Sequence, residues 1–416
     1  MTGTWRIFAR VTLPLAAVNF LNQASRAVLA VIGPILAIEF ALSASDLGLL
    51  AALLFVAYAA AQLPGGLALD IFGPRRVQAA MALTAGAGFL LCAVATGPIL
   101  LGVGRMLTGL GIAAGLTALL KANTQWFPRE RVAAMTGRAL LFGAMGGLAV
   151  TLPLSALLPL IGWRGGFALL AVLSLGAALW IWLSVPDRPP DAAPPSRRGL
   201  GAEIRAFGPI FAHPVFLRFV PAIAVLSALN FTYQGLWAGP WLRDVGGLDG
   251  QGLATILFCY ACGMAVGSIS TGQAASHFQA RGASPLLVPF AAMGLQLGIQ
   301  LWLMLAPPQA MWALAVAWFF FAIAGSAGPT GYAAIGQTFG AELAGRVATA
   351  INASMLVLVF VLQYAIGHVL DLWPRSAAGG WDARGYGWAL AATIALQLAA
   401  LFWAWRGAVV LPVSRT

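Results

Sequence analysis

Gly66-Leu67-Ala68-Leu69-Asp70-Ile71-Phe72-Gly73-Pro74-Arg75-Arg76 lies between two apolar runs, 47–69 and 77–96. Each run is long enough to cross a bilayer as a helix, which takes about 20 residues. Charge is confined to the short interval between them, where Asp70 closes the first run and Gly73-Pro74 interrupts the helical pattern. Arg75 and Arg76 then anchor the turn on the side of the membrane that collects basic residues. A carboxylate at a helix end can pair with loop arginines or cap a neighbouring helix.

The same reading extends along all 416 residues. Apolar segments fall near 11–38, 47–69, 77–96, 98–120, 132–160 and 165–185, then near 215–242, 252–275, 284–306, 310–334, 345–370 and 385–410. Hydrophobic residues make up 61% and charged residues only 8%, with a mean hydropathy of +0.88. Soluble domains carry about 25% charged residues, so lipid must be the solvent for most of the exterior. The segments are continuous rather than alternating, which points to helices and not to a membrane barrel. The expectation is an all-α membrane protein of twelve transmembrane helices in two six-helix halves, 1–185 and 215–416. A Pro- and Arg-rich cytoplasmic linker, 186–214, separates them.

The net charge of +11 does not read as a nucleic-acid footprint. Seventeen basic residues fall on one side of the proposed spans and four (Arg164, Arg243, Arg375 and Arg384) on the other, as the positive-inside rule requires. This places both termini in the cytoplasm and the protein in the cell inner membrane. Cys92, Cys259 and Cys262 all sit in apolar segments with no histidine cluster beside them, so they read as buried small hydrophobes. No metal or other cofactor is expected. The histidines His213, His277 and His368 are scattered and no nucleophile has a paired base, so the chain does not read as an enzyme. Nothing in it demands more than a monomer.

The interval from Gly66 to Arg76 resembles the signature loop of the major facilitator superfamily: Gly, three residues, Asp, then Gly and a basic pair. It departs from that signature at Ile71 and Pro74, where a basic residue is usual. Arg105-Met106-Leu107-Thr108-Gly109-Leu110-Gly111 is similar to the Arg-x-x-x-Gly-x-Gly element of the same family. The counterpart loop in the second half, Gly267 to Gly282, is degenerate, with Ser276 and His277 where an acid is usual. The resemblance covers essentially the whole chain. It implies a gating or coupling role for Gly66, Asp70, Gly73, Arg75 and Arg76. It also implies a transport cycle by alternating access.

Two cations fall deep in predicted spans, Arg26 and Arg105. A charge at that depth costs at least about 2.5–3.5 kcal/mol, so it normally faces a cavity or a partner. Asn19, Asn22 and Arg26 share one helical face. The stretch from Arg26 to Pro34 also resembles organic-anion and organophosphate branches of the superfamily, in which such an Arg binds a carboxylate or phosphate. Tying two helices together is the structural alternative, and it weighs more for Arg105. In the second half Asn230-Phe231-Thr232-Tyr233-Gln234 echoes Asn19-Phe20-Leu21-Asn22-Gln23. Asn230, Tyr233, Gln234 and Trp237 stand at i, i+3, i+4 and i+7 with no charge, which suits a monoanion better than a phosphate ester.

No acid lies at mid-membrane depth; Glu39, Asp70 and His368 at span ends are the remaining candidates for coupling. The partners expected are therefore a small anionic substrate, the lipid bilayer, and a coupling proton or an exchanged anion. The function expected is secondary active transport of a small, carboxylate-like organic anion. Efflux of amphipathic compounds, or a non-transporting scaffold or sensor on the same fold, are the alternatives. The fifth segment is glycine-rich (Gly137, Gly143, Gly146, Gly147, Pro153) but lacks the Gly-Pro dipeptide of the family's drug antiporters.

Overall fold

A computed structural model describes residues 3–186, 200–340, 343–376 and 379–406. Among these the regular structure is helical throughout. In chain order the α-helices are α1 (Gly3–Ile7), α2 (Leu13–Glu39), α3 (Ala44–Ala93), α4 (Pro98–Ile112), α5 (Gly115–Trp126), α6 (Arg129–Ala149), α7 (Leu152–Ser184) and α8 (Leu200–Phe211). They continue as α9 (Pro214–Thr232), α10 (Ala238–Asp244), α11 (Gly250–Ala280), α12 (Leu287–Leu305), α13 (Met311–Gly325), α14 (Gly328–Gly336), α15 (Ala344–Leu370) and α16 (Ala383–Trp405). A π turn, Tyr233–Trp237, joins α9 to α10.

Among the described residues eleven helical stretches are long and apolar enough to cross a membrane. The longest, α3, has 50 residues and would run about 75 Å if straight, far more than a bilayer needs. It bends at Gly73, whose φ of 80° only glycine adopts without strain, and its two limbs carry the segments 47–69 and 77–96. The interval expected as a loop is thus helical on both sides of one bent residue. The run expected at 132–160 is interrupted at Val150–Thr151, and α7 restarts there with a proline in its first turn before bending at Gly162. In the second half α11 stays helical to Ala280 and turns at Gly282, φ 78°, the counterpart of Gly73. Most of the expected linker, 187–199, lies outside the described residues.

The chain divides into two compact units: Met1–Leu42 with Leu49–Leu200, and Ser43–Gly48 with Gly201–Thr416. In the first, a core of Val11, Leu15, Val18, Ala79, Ala82, Leu119, Ala122, Ala139, Ala178 and Ile181 is built largely of alanine. Small side chains let helices approach closely where lipid offers no hydrophobic drive to pack them. The glycines of α6 serve this end: a Cβ at Gly146 would overlap the Phe20 carbonyl, and one at Gly143 the Asn19 amide.

Candidate functional site

In the first unit α2 is helical without interruption from Leu13 to Glu39. Arg26 is therefore held on it at a depth where its side chain is only 7% exposed. Its guanidinium lies 5.0 Å from the centroid of the Tyr58 ring and 5.9 Å from that of Phe55, both on α3. A guanidinium over desolvated aromatic faces gains a cation–π attraction of about 2 kcal/mol. Phe55, Tyr58 and Gln62 stand at i, i+3 and i+7 on α3, so one face of that helix carries the two rings and an amide. The Gln62 and Asn22 side-chain oxygens are buried and take no hydrogen bond among the described residues. Tyr58 and Gln62 were legible as polar residues four apart in an apolar run, a signal the emphasis on charge passes over. The Asn19–Asn22–Arg26 stripe does not converge on one neighbour: Asn19 lies against Gly143 of α6, Arg26 against α3.

Arg105 on α4 is 1% exposed and donates from Nη1 to the Ser25 carbonyl at 2.8 Å. It ties α4 to α2 next to Arg26, while its Nε and Nη2 find no partner among the described residues. The two glycines four and six positions beyond it explain the spacing of the element. A Cβ at Gly109 would overlap the Leu54 carbonyl on one limb of α3, and a Cβ at Gly111 would overlap Ala85 on the other. Asp70 pairs with Lys121 of α5, and not with Arg75 or Arg76; Lys121 also donates to the Leu69 carbonyl at 3.0 Å. Arg75 donates to the Trp182 carbonyl at 2.9 Å and lies over its ring. At the other end of α2, Glu39 accepts from Trp163 Nε1 (2.6 Å) and Arg164 Nη1 (2.7 Å).

In the second unit the four residues expected on one face of α9 do not share it. The π turn from Tyr233 inserts an extra residue, which rotates the residues beyond it by about 100°. Asn230 lies against Gly325 of α13, with the Tyr260 hydroxyl 2.7 Å from its Oδ1. Tyr233 packs its ring against Trp318 and Phe321. Trp237 instead meets α15, donating from Nε1 to the Gln363 carbonyl at 3.2 Å. Gln363, fully buried and bonded to the Thr232 carbonyl at 3.0 Å, is a further residue of this region that the pattern of α9 alone does not reveal. The Gln234 side-chain oxygen is buried without a partner among the described residues.

Cys92 is buried, Cys259 and Cys262 are half-exposed, and no cluster of metal-ligating side chains occurs among the described residues.

Comparison with known proteins agrees with this architecture. The chain is 30% identical over 171 residues to the probable sulfoacetate transporter of Cupriavidus necator, covering 41% of this chain and 40% of that protein. It is 30% identical over 294 residues to human monocarboxylate transporter 11, covering 69% and 59%. It is 31% identical over 131 residues to the probable galactarate/D-glucarate transporter of Pseudomonas putida, covering 30% and 29%. The matches thus span less than two thirds of each of these relatives. Among solved structures, a bacterial homologue of the human lysosomal transporter Spinster superposes with a TM-score of 0.79 at 17% identity, covering 96% of both chains. A D-xylose–proton symporter superposes with a TM-score of 0.71 at 16% identity, covering 94% of this chain and 96% of that one. The family model of the Major Facilitator Superfamily matches residues 15–363, and with the helical architecture this settles that the chain belongs to that superfamily: it is a multi-pass membrane transporter and not an enzyme.

Proposed function

We propose that this transporter moves a small, carboxylate-like organic anion across the inner membrane by alternating access, with both termini in the cytoplasm. The observation that carries the reading is the Arg26 guanidinium, 7% exposed and stacked on Tyr58 at 5.0 Å. Stacking keeps the planar fork in the orientation that binds a carboxylate through two parallel N–H donors. Asn22 and Gln62, whose amides can turn to present either N–H or oxygen, supply neutral hydrogen bonds in the same unit. Arg105 holds the Ser25 carbonyl and so fixes the backbone beside Arg26. Three relatives named as transporters of sulfoacetate, of galactarate or D-glucarate, and of monocarboxylates support the anionic class. The Asp70–Lys121 pair and the Arg75–Trp182 contact are the gating elements of the first unit.

The test is uptake by proteoliposomes of sulfoacetate, D-glucarate and lactate, paired with thermal stabilisation of the purified protein by each anion. A charge-assisted hydrogen bond contributes about 1.5–3 kcal/mol, so Arg26→Ala weakens binding of the preferred anion about ten- to hundredfold. Arg26→Lys retains part of it. Imposed pH gradients and preloaded anions separate proton coupling from exchange. An Arg26→Ala protein that binds and transports the anions as the wild type does would overturn the anion site.

A further inference from the structure

Two arginines of the second unit meet at one corner, near the start of α9 and the end of α16. Trp403 Nε1 donates to the Leu217 carbonyl at 2.9 Å, and Arg218 Nη1 donates to the Arg406 carbonyl. These bonds join consecutive residues of α9 to residues three apart on α16, so the corner is held at two points. Arg218 lies over the Phe219 ring at 5.7 Å, and Arg406 over the Phe402 ring at 5.4 Å. Neither guanidinium pairs with a carboxylate among the described residues. The Arg218 Nε is sealed from solvent and finds no acceptor among them. Residues 407–416 add Arg415 and no acidic side chain.

Like charges at one corner repel unless an anion stands between them. A cation that only marks the cytoplasmic side extends its head into water. Arg218 is instead half-buried and turned onto the α16 backbone. The surface beside the pair is apolar. Leu398, Phe402 and Trp405 follow at i, i+4 and i+7 on α16, and all three are exposed, as is Leu217 on α9. Two guanidinium forks at the head of an exposed apolar stripe complement a phospholipid, whose phosphate accepts paired N–H donors and whose chains are apolar.

We propose that this corner binds an anionic glycerophospholipid, its phosphate held between Arg218 and Arg406 and an acyl chain lying along Leu398, Phe402 and Trp405. Trp403, through its bond to Leu217, seats α16 on α9 and so fixes the spacing of the two cations. A choline lipid carries the same phosphate with its own cation beside it, and binds more weakly. The site stands apart from Arg26 and needs no transported substrate.

The experiment uses the full chain in detergent micelles, titrated with phosphatidylglycerol, with phosphatidylcholine or with inorganic phosphate. The melting midpoint is read against the concentration added, and retained lipid is read by native mass spectrometry. Phosphatidylglycerol raises the midpoint and stays bound. An arginine at a membrane surface contributes about fivefold to anionic-lipid affinity. Arg218→Gln and Arg406→Gln therefore each weaken phosphatidylglycerol binding about fivefold, and together about twenty-five-fold. Arg10→Gln, which removes an exposed cation of the first unit, leaves that affinity unchanged. Arg406 is exposed and its guanidinium touches only the Phe402 ring, so its variant folds and carries the test without the Arg218 variant. An equal loss in Arg10→Gln, or none in Arg406→Gln, overturns the site and assigns the effect to diffuse charge. A midpoint raised as much by phosphatidylcholine or by inorganic phosphate overturns the anionic-lipid assignment.

Discussion

Replacing Asp244 by Ala separates a buried ionic clasp from an exposed one. Asp244, at the end of α10, has a side chain only 4% exposed. Its carboxylate accepts from Arg243 Nε at 2.5 Å and Nη2 at 3.1 Å, from the Trp381 N–H at 3.0 Å and from the Tyr386 hydroxyl at 2.8 Å. Arg243 also lies over the Trp381 ring at 5.5 Å. Removing the carboxylate leaves an arginine, a backbone N–H and a phenol to find new partners. Breaking a buried pair costs about 3–5 kcal/mol. Arg243 is 23% exposed and can recover part of that in water, which brings the expectation to about 3 kcal/mol. Asp244→Asn keeps an acceptor for the phenol and the N–H, and costs about half as much. The comparison is Asp382→Ala, which removes the Asp382–Arg384 pair, where Arg384 is 70% exposed. Unfolding in detergent, followed by tryptophan fluorescence, to which the buried Trp241 and Trp381 of this unit contribute, reads all three variants against wild type. Equal midpoints for Asp244→Ala and Asp382→Ala would refute the assignment of the clasp as the stabilising contact of this end of the unit.

Gly109→Ala places a methyl on the Leu54 carbonyl and costs about 1–3 kcal/mol of overpacking, whereas Gly176→Ala on α7 meets open space and is neutral or stabilising by the same unfolding assay. The Arg384 side chain, followed by the Arg384 backbone N–H, holds the Asp382 carboxyl below its usual range. A depressed carboxyl contributes stability that is present above its unfolded pKa, about 3.9, and lost as pH falls through the folded value. The melting midpoints of wild type and Asp382→Asn therefore converge on acidification below about pH 4, and equally in high salt. A gap that persists in acid would assign the difference to something other than this pair.

Membership of the fold was legible because hydropathy is additive along the chain: twelve apolar runs and one-sided arginines need no knowledge of what touches what. The signature around Asp70 and Gly73 was equally legible, since a Gly at φ 80° is a local requirement. The partners were less so. Asp70 pairs with Lys121, fifty-one positions away on α5, a neighbour that only the packing of the helices supplies. Trp237 left its expected face because one π turn changes the phase of every residue beyond it, and no residue of the stretch Tyr233–Trp237 announces it.

By itself the sequence determined the solvent, the number and rough limits of the spans, the superfamily, and Arg26 as a buried cation that needs a reason. Only the tertiary structure decided that this cation rests on Tyr58 and Phe55, that Arg105 is bound to the Ser25 carbonyl, and that three distant glutamines form one polar chain ending at Thr393. The physical reason is the difference in range. Burial in lipid follows from the average character of about twenty consecutive residues. A hydrogen bond instead depends on tenths of an ångström between helices far apart in sequence, set by how each is rotated, bent and spaced by the glycines and alanines at its contacts.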